Sequence, residues 1–120
     1  MPQNSAVSPS VNPNLLLVVL TSLPNMDTAK NMARALVEEK MATCVQLIDG
    51  MQSVYRWEGK VCEENEVQLS AKTTASKWPE ILRFIQDRHP YDLPEILAFS
   101  PEQYEEHYGA WIQAEVNLKA

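Results

Sequence analysis

The chain has 120 residues, 45% of them hydrophobic and 22% charged, which suits one domain with a usable core and leaves too little chain for two. Ten basic against sixteen acidic residues give a net charge of -6, which disfavours nucleic acid and anionic membrane surfaces as partners. Two cysteines, Cys44 and Cys62, are too few for a secreted disulfide framework and read as reduced thiols.

Residues 1–14 carry Pro2, Pro9 and Pro13 among serines and asparagines without a charge or a sustained apolar run, and are expected to be a disordered tail ahead of a domain spanning 15–120. They lack the charged start and apolar stretch of a secretory signal and the arginines of a mitochondrial presequence, so a cytoplasmic protein is expected. The run Leu15 to Leu20 is far too short to cross a membrane. Bounded by Asn14 and by the turn residues Ser22, Pro24 and Asn25, it predicts a strand apolar on both faces. Ala29, Met32, Ala33, Leu36, Val37 and Met41 then recur at helical spacing, with Asn25 or Asp27 as N-cap.

Extended segments over Cys44 to Trp57 and Lys60 to Thr74 flank a Glu58-Gly59 turn and predict a hairpin. Val67, Leu69 and Ala71 alternate with Gln68, Ser70 and Lys72, the period of a strand. Both arms exceed the usual ~5–6 residues, so the tip should project beyond its sheet, with a bulge at Gly50. Ser76 is placed to cap a second helix with an apolar stripe of Trp78, Ile81, Leu82 and Ile85, tolerating Pro79 in its first turn and ending before Pro90. Glu95 to Phe99 predicts a short strand. Ser100-Pro101-Glu102-Gln103 resembles a capping box opening a third helix through Tyr104, Tyr108, Trp111 and Ile112.

The order β, α, β, β, α, β, α is an α+β, ferredoxin-like split βαβ sandwich: an antiparallel sheet, a long hairpin and an extra C-terminal helix. Two helices cover one face of four strands. A first strand apolar on both faces and an overlong hairpin therefore call for self-association.

Ala42-Thr43-Cys44-Val45, Tyr55-Arg56-Trp57-Glu58-Gly59-Lys60, Glu66-Val67, Lys72-Thr73, His89-Pro90-Tyr91, Pro94-Glu95-Ile96 and Tyr108 with Trp111 are similar, in order and spacing, to the signature sites of the CutA divalent-cation-tolerance family. The resemblance covers residues 15 to 116. It implies a ferredoxin-like homotrimer whose sheets meet through long hairpins, and a cytoplasmic protein that binds copper or another divalent metal ion. The copper ligands proposed for that family are a cysteine ending the first strand and two consecutive histidines before Pro-Tyr. Those positions hold Thr21, Arg88 and His89 here, and an arginine cannot replace an imidazole donor.

His89 and Cys44 are the candidate metal ligands. His89 could instead close the second helix, and Cys44 could be a core thiol. Cys62, beside Glu63 and Glu64, reads as passive, and His107 as a surface residue. Glu63, Glu64 and Glu66 lack calcium-loop spacing and read as a solvated or intersubunit salt-bridged face. Tyr55, Trp57, Lys72, Tyr91, Glu95 and Trp111 are intersubunit cleft or interface candidates. Lys72 is expected to pair with Glu66 or Glu95. A PII-like small-molecule sensor and a structural scaffold are the alternatives. An enzyme built on His89, Lys72 and Glu95 is disfavoured by the absence of a nucleophile elbow, phosphate loop or zinc-protease motif.

Overall fold

The amide of Leu15 reaches back to the Asn12 carbonyl (3.0 Å) and the amide of Ser76 to the Pro13 carbonyl (2.9 Å), so a turn at residues 12–14 leads directly into the first strand. The computed structural model describes residues 12–118. The tail expected over 1–14 therefore lies outside the described residues up to position 11, and Asn12, Pro13 and Asn14 are tied to the domain.

Strand β1 (Leu16–Leu23) continues three residues past the expected Leu20. Thr21 and Ser22, the latter read from sequence as a turn residue, pair with Leu69 and Gln68 on the neighbouring strand, and sheet pairing overrides the turn preference of isolated serine. Helix α1 (Met26–Glu38) is capped by Asn25, whose side chain accepts from the Thr28 amide (2.8 Å), and it buries Ala29, Met32 and Leu36. It stops before the expected Met41 because Lys40 turns to φ 60, so that Met41 and Ala42 both donate their amides to Leu36.

Strands β2 (Cys44–Trp57) and β3 (Lys60–Thr74) form the predicted hairpin. Glu58 and Gly59 adopt φ 50 and 78, the two positive values of a type I′ turn, whose twist matches that of the strands. The register slips between Ile48 and Met51, where Gly50 takes φ 80. Strand β1 pairs with β3 only from Val67 to Thr74. The arms from Met51 and up to Glu66 therefore pair only with each other, as a ribbon that leaves the sheet.

Helix α2 (Trp78–Arg88) follows a 3-10 turn over Ala75–Lys77. Ser76 does not cap it as expected: its hydroxyl is engaged with that of Thr74 (2.8 Å). Strand β4 (Ile96–Phe99) pairs with β1 and completes an antiparallel sheet of order β2-β3-β1-β4. Helix α3 (Glu106–Asn117) starts well beyond Ser100. Glu105 is the real cap, accepting from the amides of His107 (3.0 Å) and Tyr108 (2.9 Å), which holds its carboxyl below the usual range. Tyr104 precedes the helix and its ring lies over Gly109, where a Cβ would stand 2.4 Å from the ring.

The core lies between one sheet face and helices α1 and α2. Val19, Leu23, Val67, Leu69 and Ala71 meet Met32, Leu36, Ile81 and Ile85, all buried. Thr21 points to this same face, and its hydroxyl, on a residue 1% exposed, has no hydrogen-bond partner among the described residues. An orphaned hydroxyl is a standing cost of about 1–2 kcal/mol, so Thr21→Val should raise the urea unfolding midpoint by an amount worth about 1 kcal/mol. An unchanged or lower midpoint would show that the hydroxyl is satisfied.

The opposite face is covered at one end by α3, where Thr43 donates its hydroxyl to the Ile112 carbonyl (2.7 Å). Elsewhere it is open. Val18 and Leu20 are half-buried, and Leu97 and Phe99, their partners on β4, are 46% and 54% exposed. The first strand is thus apolar on both sides, with one side lacking a cover in the single chain.

Candidate functional site

Where the hairpin ribbon leaves the sheet, a cleft of about 520 Å³ opens between the β2 and β3 arms, the end of β1 and the segment joining α2 to β4. Each element contributes for a local reason. Alternation along β3 places Glu64 and Glu66 on one side of the ribbon. Arg88 ends α2, and Pro90 prevents its continuation, sending residues 91–95 across the end of β1.

Three carboxylates in the cleft are each held by a hydroxyl. Tyr91 donates to Glu66 Oε2 (2.9 Å), Tyr55 to Glu64 Oε1 (2.6 Å) and Ser22 to Glu95 Oε1 (2.7 Å). Hydrogen bonding to Glu64 and the surrounding negative charge push the Tyr55 hydroxyl up to about 12. Burial, with the Glu66 carboxylate behind it, raises that of Tyr91. Both phenols are therefore neutral donors at neutral pH. Asp92 also lines the cleft, as do Arg56 and Trp57. No lysine or arginine forms an ion pair with Glu64, Glu66 or Glu95 among the described residues.

His89 holds this arrangement from behind. Its Nε2 lies 2.7 Å from the Ser22 carbonyl, and the Tyr91 amide donates to its Nδ1 (3.1 Å). An amide N–H can only donate, so Nδ1 is the acceptor and Nε2 carries the proton. The imidazole is 8% exposed. Burial lowers its pKa against the smaller opposing pulls of the Ser22 carbonyl and Glu66, keeping it neutral.

Of the residues singled out from sequence, the fold brings together Tyr55, Trp57, Tyr91 and Glu95. It places Cys44, Lys72 and Trp111 elsewhere. Cys44 pairs with Lys72, which pairs with Val18, four residues from Ser22 along β1 and so roughly 13 Å from the cleft end at ~3.3 Å per residue. Cys44 and His89 are thus not neighbours. Among the described residues, no three His, Cys, Asp or Glu side chains are grouped to hold a metal ion. Cys44 lies instead by Tyr108, whose hydroxyl is raised by burial and then by Cys44, and the Tyr108 and Trp111 rings stand 5.8 Å apart. Lys72 does not pair with Glu66 or Glu95 as expected: it donates to Gln46, because six residues of β3, roughly 20 Å at ~3.3 Å per residue, separate it from Glu66, and its partner Val18 lies four residues from the Ser22 that holds Glu95. Both Cys44 and Cys62 are free thiols.

Ser22, Glu64 and Glu66 escaped the sequence reading as site residues, Glu64 as part of the same solvated face as Glu66 although Tyr55 donates to it. Ser22 looked like part of a turn. Glu66 looked like part of a solvated face, yet it is 8% exposed and clamped by Tyr91. Their signal was positional: Ser22 keeps the period-2 alternation of β1, and Glu66 adjoins the buried Val67.

Comparison with known proteins agrees with this architecture. The family described as CutA1 divalent ion tolerance protein matches residues 17–115. A divalent-cation tolerance protein CutA of Thermus thermophilus is 38% identical over 96 residues, 80% of this chain and 93% of that protein. The crystal structure of CutA from Xylella fastidiosa aligns with a TM-score of 0.82 at 32% identity, covering 85% of this chain and 98% of that one. The structure of a protein described as the periplasmic divalent cation tolerance protein CutA, from Archaeoglobus fulgidus, aligns with a TM-score of 0.83 at 27% identity, covering 86% and 100%. With nearly the whole domain matched in sequence and in fold, this chain belongs to the CutA1 divalent ion tolerance protein family.

Proposed function

We propose that this chain works as a cytoplasmic homotrimer in the tolerance of, or response to, divalent metal ions, and that it does so by binding rather than by catalysis. The metal-ion role is supported by the divalent-cation tolerance named for its relatives. The observation that carries self-association is the uncovered sheet face, where Leu97 and Phe99 stand exposed beside Val18 and Leu20. A face of this kind is stable in water only under a cover. The free thiols of Cys44 and Cys62 suit a reducing compartment.

Light scattering should therefore return three times the chain mass of 13.6 kDa. Isothermal titration with Cu(II), Zn(II) and Cu(I), and growth on elevated metal of a bacterial host lacking its own family member, test the metal-ion role. A single-chain mass, or growth no better than the empty host, would overturn the corresponding part. Trp57, exposed near the hairpin tip, is a large aromatic anchor of the kind that dominates interfaces. Trp57→Ala should weaken assembly by about tenfold or more in dissociation constant, read from mass against concentration. An unchanged profile would place Trp57 outside the interface.

A second reading, a sensor of a small molecule in the manner of PII-like proteins, is supported by the cleft of about 520 Å³, a volume in the range of ligand sites. Thermal-shift screening of metabolites on the full chain would separate it from the first reading.

A further inference from the structure

Three positions of this chain, Thr21, Arg88 and His89, stand where the resemblance to its family places the proposed copper ligands, and none of them is suited to act as one. Thr21 sits on the helix-facing side of β1 and is 1% exposed. It offers a neutral, hard hydroxyl where copper favours a soft thiolate. The guanidinium of Arg88, which has donors only, lies 4.3 Å from the centre of the Phe84 ring one turn back on α2. The ring nitrogens of His89 are both in use, Nε2–H on the Ser22 carbonyl and Nδ1 on the Tyr91 amide.

A neutral imidazole has one lone pair for a metal, and here a backbone N–H occupies it. Binding through Nδ1 would strip the Tyr91 amide of its acceptor. Binding through Nε2 would need the other tautomer, which sets Nδ1–H against the Tyr91 N–H and leaves the Ser22 carbonyl without a donor. Either route costs buried hydrogen bonds on both sides of the ring.

We infer that these three positions do not form a copper site and that His89 is instead a clasp, a positioning residue that ties the α2–β4 segment to the end of β1. The clasp has a direct consequence for the cleft. Ser22, whose carbonyl His89 holds, presents its hydroxyl to Glu95, and Tyr91, whose amide His89 accepts, presents its phenol to Glu66. One ring thus sets the direction of two of the three clamped carboxylates. The inference concerns how the proposed metal-ion role is not carried out, and its test uses neither mass nor growth, so either can fail alone.

The chain has two histidines, which makes the test direct. In full-length protein labelled with nitrogen-15 histidine, the metal-free spectrum should show His89 as the Nε2–H tautomer with a slowly exchanging ring proton. On adding Cu(II) up to one equivalent per chain, the ring signals of His107, whose side chain is exposed, should broaden first, and those of His89 should persist. Cu(I) titration of the wild type and of His89→Gln should give affinities within about twofold of each other. Loss of the His89 signals before those of His107, an Nδ1–H tautomer in the metal-free protein, or one-per-chain copper binding abolished in His89→Gln would each overturn the inference. The labelled wild type decides the matter even if the variant does not fold.

Discussion

Phe99→Asp is expected to convert the proposed assembly to single chains of 13.6 kDa while leaving far-ultraviolet circular dichroism unchanged. Phe99 pairs with Val18 at the open edge of the sheet and is more than half exposed, so an aspartate there meets water in the single chain and costs the fold little. In the assembly, the same carboxylate would be buried against apolar residues without a partner cation. That costs several kcal/mol per copy, repeated at every equivalent contact of a symmetric oligomer. Mass by light scattering at several concentrations checks it. An unchanged mass would show that this face is covered by something other than another copy.

His89→Ala is expected to be the most damaging substitution in the cleft. It orphans the Ser22 carbonyl and the Tyr91 amide and leaves a gap in a buried site, together about 2–4 kcal/mol. The loss should be accompanied by a fall in the Tyr91 phenol titration, because a loosened segment no longer buries that hydroxyl against Glu66. The pH dependence has a definite sign. The folded state holds His89 neutral with a lowered pKa, whereas the unfolded chain takes up the proton near 6.5, the ordinary histidine value. The unfolded state therefore binds more protons below that value. Wild-type stability is complete above it and declines as the pH falls through it toward the folded pKa. Urea unfolding at about pH 7.5 and about pH 5.5, at fixed protein concentration, should show that decline in the wild type and a smaller one in His89→Gln. Equal declines would assign the acid sensitivity to other groups.

Both predictions depend on placements that differ in how far they could be read from residues alone. The β2–β3 hairpin was legible to the residue, since its ends, its turn and its bulge are all local properties: alternation, a Glu-Gly pair that accepts positive φ, and a glycine where the register slips. The apolar β1 likewise announced a strand apolar on both faces, of which the single chain fully covers one. Helix starts were less legible. Ser76 and Ser100 have good capping sequences, yet Thr74 engages the first and Glu105 supersedes the second. A cap is chosen by where packing lets the helix begin, and α3 begins where Gly109 lets it pass under Tyr104.

The site divides in the same way. Sequence by itself determined the order of elements, the projecting hairpin, a first strand apolar on both faces and the residue types of the cleft, because all of these follow from periods of 2 and 3.6 and from motif spacing. Only the tertiary structure decided which of those residues meet. It joined Ser22 to Glu95 across 73 positions and Glu66 to Tyr91 across 25, and it carried Lys72 and Cys44 to another part of the sheet and Trp111 to α3. It also decided that His89 is satisfied on both ring nitrogens. The pairing partner of a polar side chain depends on register and chain crossing, which set distances that no local pattern encodes.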